Sequence, residues 1–189
     1  MPDLDEPVWG EGPARSLVEA HVYLDLATSG GEGGGAAERA VLTEEEEGWR
    51  VRLDDTEIFV PYVAEAEARE MEATFGTGIS ELIDPGQWML LAATYARRAL
   101  AAAMRYAADP SSGDRYDEIV ADWRFAADAV EEALKWLPDD ADELPPESFW
   151  SEMGQEAFAQ EPERFTRATM DDDLAYYRAA LGDFLRLHG

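Results

Sequence analysis

The chain contains no cysteine and no asparagine, a single lysine (Lys135) and two histidines (His21 and His188) in 189 residues. Without cysteine there is no disulfide, no thiolate nucleophile and no Cys-ligated zinc or iron–sulfur cluster. The two histidines form neither an HExxH zinc motif nor the Glu-x-x-His pairs of a di-iron bundle. Basic residues are scarce: 15 Lys and Arg against 42 Asp and Glu leave a formal net charge of −27. Such a field repels nucleic-acid phosphates and anionic lipid, so neither nucleic acid nor a membrane is an expected partner, whereas a basic protein is. The apolar run from Trp88 to Ala93 is too short to span a bilayer. Met1 to Gly12 is acidic, with no basic n-region and no apolar h-region, so the expected location is the cytoplasm.

Hydrophobic residues make up 46 % of the chain, which places it among globular proteins of a size that buries a core without metal or disulfide staples. Residues 1–14 read as a polar lead-in, 15–62 as an antiparallel β-module and 63–189 as a helical domain. The fold class is α+β: a small N-terminal β-meander followed by a mostly helical, bundle-like region. Val18, Ala20, Val22, Leu24 and Leu26 alternate with Glu19, His21, Tyr23 and Asp25, which predicts a half-buried first strand. After the glycine-rich Ser29–Gly35, strands are expected at 39–43, 49–53 and 57–60, with Asp54-Asp55 as a turn.

From Ala64 the period is helical. Helices are expected over 64–75, about 86–108, 114–137 and about 146–159, with a last one running to about Leu187. The second is apolar almost all round apart from Arg97, Arg98 and Arg105, which predicts the buried centre of a bundle. The last is expected to be capped by Thr169, with Asp171–Asp173 at its positive end.

On the predicted first strand Glu19, His21, Tyr23 and Asp25 share a face, and an adjacent strand would add Arg50 and Arg52. Carboxylate, imidazole and guanidinium together suit acid–base work or anion binding. The plainer alternative is a solvated sheet face with cross-strand ion pairs. Arg97, Arg98 and Arg105 are expected in salt bridges rather than around a ligand. The acidic loop Asp139, Asp140, Asp142 and Glu143 lacks the central glycine of a calcium loop, and no metal is expected in it. The glycine run after Ser29 is followed by no Lys-Ser/Thr, so a P-loop is excluded. No cofactor is expected. Phe149 and Trp150, beside the acidic loop, are either an interface anchor or a lid over the bundle core.

Ser80-Glu81-Leu82-Ile83-Asp84 with Trp88, Phe149-Trp150-Ser151-Glu152 with Gly154, Glu161-Pro162 with Arg164-Phe165, and Glu19-Ala20-His21 together resemble an actinobacterial protein family. The resemblance implies an N-terminal β-module of zinc-ribbon type followed by a helical domain, and it implies no activity. Thr28-Ser29-Gly30-Gly31 stands where a cysteine knuckle would be, so the resemblance implies a ribbon-like sheet that has lost its metal.

The resulting expectation is a non-catalytic, acidic protein-binding module (inhibitor, immunity-type or adaptor protein) acting on a basic partner through Phe149, Trp150, Asp139, Asp140, Asp142 and Glu143. The alternative is an enzyme or small-ligand binder using Glu19, His21, Tyr23, Arg50 and Arg52. An acidic mimic of nucleic acid is a third reading.

Overall fold

A computed structural model describes residues 10–29, 35–111 and 113–189. The chain divides into two compact units, Met1–Asp84 and Pro85–Gly189. The division falls after Asp84 rather than at 62/63, so the helix that follows the sheet belongs to the first unit.

The first unit opens with α1 (Leu17–Ser29) and a single turn, α2 (Ala36–Arg39). An antiparallel three-stranded sheet follows, in the order β1 (Val41–Glu44), β2 (Gly48–Leu53), β3 (Thr56–Pro61), and then α3 (Tyr62–Glu70). The expected first strand is therefore a helix, and the meander has three strands instead of four. Gly30 and Gly31 of the expected knuckle lie outside the described residues, while Thr28 is helical.

Hydrogen bonds at the start of α1 explain why helix wins over strand. Ser16 and Glu19 form part of a capping box: the Ser16 hydroxyl accepts from Glu19 N–H at 3.0 Å. The Glu19 carboxylate reaches back to accept from Arg15 N–H at 2.7 Å, and Glu65 on α3 accepts from Leu17 N–H at 2.7 Å. Backbone donors that a helix start leaves without intrahelical partners are thereby satisfied, and two carboxylates face the positive end of the helix. A strand at these positions would make none of these bonds.

Alternation survives in β2 and β3. Val51 lies opposite Ile58 and all of Val51, Leu53, Ile58 and Val60 are buried, with α1 packed against β2 and β3. The Leu53–Thr56 pair closes a two-residue hairpin in which Asp54 takes φ 52°, a conformation that Asp tolerates better than most residues. β1 is an edge strand, exposed along its length.

The second unit comprises α4 (Pro85–Ala108), α5 (Tyr116–Leu134), α6 (Glu152–Gln160) and α7 (Arg167–His188), with 3₁₀ turns at Pro146–Ser148 and Pro162–Phe165. Alanines at 92, 96, 99 and 102 of α4 and 126, 129 and 133 of α5 are buried, and such small side chains let helix axes approach closely. α5 packs against both α4 and α7, around Trp88, Ile119, Trp123, Val130, Met170 and Phe184. The cap of α7 is Thr166, three residues before the expected Thr169, whose N–H it receives; Asp171–Asp173 consequently fall in the second turn. Among the described residues no helix is long and apolar enough to cross a membrane.

Candidate functional site

The polar residues of α1 are separated by the helix itself. At about 100° per residue, positions two apart point to nearly opposite sides and positions four apart share a side. Glu19 and Tyr23 therefore fall on one side, His21 and Asp25 on the other.

Glu19 and Asp25 have structural tasks. Glu19 is fully buried and bonded to the Arg15 guanidinium, with Nη2–Oε1 at 2.6 Å and Nε–Oε1 at 3.0 Å. Asp25 is buried and accepts from Ala36 N–H at 2.9 Å, which caps α2. A sheet face combining Glu19, His21, Tyr23, Arg50 and Arg52 does not exist, because the segment that was to supply its first three members is a helix.

Tyr23 and Arg50 do line one open recess of about 520 Å³, together with Glu57, Phe59 and the turn at Gly10–Pro13. Arg50 is held there by Glu45 at 2.7 Å and Glu57 at 3.1 Å, and its ring neighbour is Phe59 at 5.4 Å. Its positive charge is thus matched by two carboxylates, one in the β1–β2 turn and one on β3. His21 and Arg52 do not line this recess.

Burial holds the His21 imidazole below its ordinary pKa of 6.5, against the opposing pull of Asp25. The folded chain therefore binds this proton less readily than the unfolded chain does. Stability that is complete above pH 6.5 is expected to decline as the pH falls through that value toward the lower folded pKa. A proton NMR titration following the His21 C2 proton is expected to give a midpoint below 6.5; a midpoint at or above 6.5 would contradict this burial.

In the second unit two of the three arginines of α4 are in the ion pairs the sequence suggests, while Arg97 donates to the Thr94 hydroxyl at 3.3 Å. Arg98 binds Asp122 and lies over Tyr95, and Arg105 bonds Asp114 at 2.8 Å. Hydrogen bonding to Asp122 raises the Arg98 pKa further.

Phe149 is buried, at 3 % exposure, stacked on Phe158 at 4.5 Å and edge-on to Phe165 at 4.9 Å. It closes the core of this unit and presents no surface to a partner, which corrects the expectation of an interface anchor at that position. Trp150 is half-buried against Trp136, with ring centroids 5.2 Å apart.

The acidic loop is different. Asp139, Asp140, Asp142 and Glu143 are all exposed. Their backbone is nevertheless fixed: Arg167 donates to the carbonyls of Pro138 at 2.8 Å and Ala141 at 3.0 Å, and its own N–H bonds Asp142 O at 2.7 Å. Leu144 N–H donates to Phe165 O at 3.0 Å, and Glu143 bridges Thr166. Among the described residues no three His, Cys, Asp or Glu side chains converge as a metal site would require.

Sequence reasoning missed an apolar groove of about 410 Å³ formed by α4, α5 and α7. Leu100, Ala103, Met104 and Ala107 line it from α4, and Tyr176, Ala179, Ala180, Asp183 and Leu187 from α7, with Trp123 of α5 also in the lining. Its rim is apolar and solvent-facing: Leu100 is 43 % exposed, Met104 67 %, Tyr176 53 % and Leu187 76 %. At one end α4 and α7 converge, where Tyr106 packs on Phe184 at 5.8 Å and on His188 at 5.3 Å. α4 is therefore not buried all round, as its composition implies, but leaves one stripe open.

No family model, curated protein or solved structure matches this chain.

Proposed function

We propose that this protein is a non-catalytic, acidic protein-binding module that acts on a basic partner. The observation that carries this is the Asp139–Glu143 loop, in which one arginine is consumed by backbone carbonyls while four acidic side chains remain exposed. A loop already fixed before binding loses little conformational entropy when a partner docks. Its carboxylates add to the field of a chain carrying −27, which speeds encounter with a cationic surface and disfavours acidic competitors. The separation of Glu19, His21 and Arg52 from the Tyr23–Arg50 recess removes the main support for the enzymatic alternative.

The test compares two variants that remove equal charge. One is Asp139→Asn, Asp140→Asn, Asp142→Asn, Glu143→Gln; the other is Glu44→Gln, Glu45→Gln, Glu46→Gln, Glu47→Gln. Titration calorimetry with a defined Lys- and Arg-rich polypeptide at low salt is expected to show a loss of ~10-fold or more for the first, from several rim charges worth a few tenths of a kcal/mol each. The second is expected to lose distinctly less. Equal losses would mean that only net charge matters and that the loop is no docking surface.

A further inference from the structure

We propose that the groove between α4 and α7 receives an amphipathic α-helix of the basic partner, completing a four-helix arrangement in which this chain supplies three. The inference rests on the acidic-module reading for the charge of the occupant, and on the groove alone for its shape.

The spacing argues for a helix. Leu100, Ala103, Met104 and Ala107 stand at i, i+3, i+4 and i+7; Tyr176, Ala179, Ala180, Asp183 and Leu187 continue the same rule on α7. Such stripes are what one helix shows to another. Elsewhere in the unit they are covered: α5 buries its own stripe, Ile119, Trp123, Ala126, Val130 and Ala133, against α4 and α7. The stripes on α4 and α7 differ in having no such cover, and four large apolar side chains stand in solvent on them.

Trp123 and Phe184 are the buried part of the lining, and the small alanines beside the exposed Leu100, Met104, Tyr176 and Leu187 leave room for a helix axis at the ~8–10 Å separation of packed helices. Tyr176 to Leu187 spans about 17 Å at about 1.5 Å per residue, so the occupant needs at least three turns. A β-strand would find no open sheet edge here, because all the lining elements are helices.

Charge selects among helices. A second copy would bring −27 against −27. Self-repulsion on that scale opposes a homodimer, whereas a helix with leucines on one face and lysines or arginines flanking them is attracted by the net charge of the chain, Asp183 of the lining being itself paired with Arg186.

The experiment uses the full chain and three synthetic 18-residue peptides. The first carries Leu at i, i+3, i+4, i+7 spacing with Lys elsewhere, the second has the same composition with the leucines scattered around the helix, and the third has Glu in place of Lys. Fluorescence anisotropy is expected to rank the first at least tenfold above the other two. Ala180→Arg, which fills the groove with bulk and positive charge, and Leu187→Glu, which alters only an exposed rim position, are each expected to weaken the first peptide at least tenfold while leaving the circular dichroism melt unchanged. Should Ala180→Arg fail to fold, Leu187→Glu carries the test alone. If the Leu-face peptide binds these variants as it binds the unmodified chain, the groove assignment falls and the acidic-module reading stands. If sedimentation equilibrium shows a dimer that Leu187→Glu dissociates, the occupant is a second copy and the inference is overturned. If neither Lys peptide binds even at low salt, the acidic-module reading itself fails.

Discussion

Glu19→Ala is expected to destabilise the first unit by about 3–5 kcal/mol, a large share of the stability of a domain. Glu19 is fully buried, and the Arg15 side chain it grips is 13 % exposed. Three functions are lost together. The guanidinium loses the Glu19 carboxylate while its bonds to the carbonyls of the 76–78 turn remain, with Gly78 O at 2.6 Å. The backbone N–H of Arg15 loses its acceptor, and the first turn of α1 loses a carboxylate at its positive end. Glu19→Gln retains the shape and part of the hydrogen bonding, so it is expected to cost less. The double variant Arg15→Leu, Glu19→Leu removes both charges and is expected to recover a substantial part of the loss, because a buried pair replaced whole often costs little whereas one broken in half leaves a desolvated charge. Urea unfolding of these proteins measures the losses, and adding Arg15→Leu and Glu19→Leu alone closes a double-mutant cycle that isolates the pair. A loss below about 1 kcal/mol for Glu19→Ala would mean that water reaches Arg15 and that the pair contributes as an exposed one does.

The same residue shows what the sequence discloses and what it hides. Ser16-x-x-Glu19 before an apolar run is a helix-start signal, and Arg15 and Glu19 have i,i+4 spacing; both are readable without a structure. The alternation from Val18 to Leu26 points the other way, to a strand. That alternation misleads because α1 is buried on more than one side: Ala20, Val22, Leu24 and Leu26 are all covered, along with Glu19 and Asp25, so no single 3.6-residue stripe stands out. Where an element has one wet face, the pattern was legible, as in α5 with its buried Ile119, Trp123 and Val130, and in the alternation of β2. The acidic loop was legible as exposed carboxylates, but not the Arg167 clasp that fixes it, which joins positions 26–29 residues apart in the chain. The groove was hidden for the converse reason to α1. A helix that is apolar all round implies complete burial, and only the placing of α7 shows which stripe of α4 stays open.

Gly86→Val is expected to displace α6 and to lower the melting temperature of the second unit by several degrees. Gly86 lies in the first turn of α4, buried where α6 crosses it, and a Cβ built there would stand 2.5 Å from Gly154 Cα and 2.9 Å from Gly154 O. Both obstacles are backbone, so no rotamer change relieves the clash. Overpacking of this kind costs about 1–3 kcal/mol for a small excess and more when backbone must move. Gly86→Ala gains about 1 kcal/mol of helix propensity against that cost, which makes it the milder variant, while the β-branched valine adds bulk without the full gain. At roughly 2–4 °C per kcal/mol for a chain of this length, a net loss of about 2–3 kcal/mol shifts the melt by about 4–12 °C. The consequence reaches the proposed docking surface. Gly154 and Phe158 share one side of α6, and Phe158 packs on both Phe149 and Phe165. Phe165 O in turn holds Leu144 N–H at the end of the acidic loop. Pushing α6 off α4 therefore loosens the aromatic cluster and then the loop. Hydrogen exchange is expected to quicken at α6 and at Leu144 in Gly86→Val while α5 stays protected. Equal quickening throughout the second unit would instead mean that α6 and the loop unfold only with the whole, and that the chain from Gly86 to the carboxylates is not a separable path.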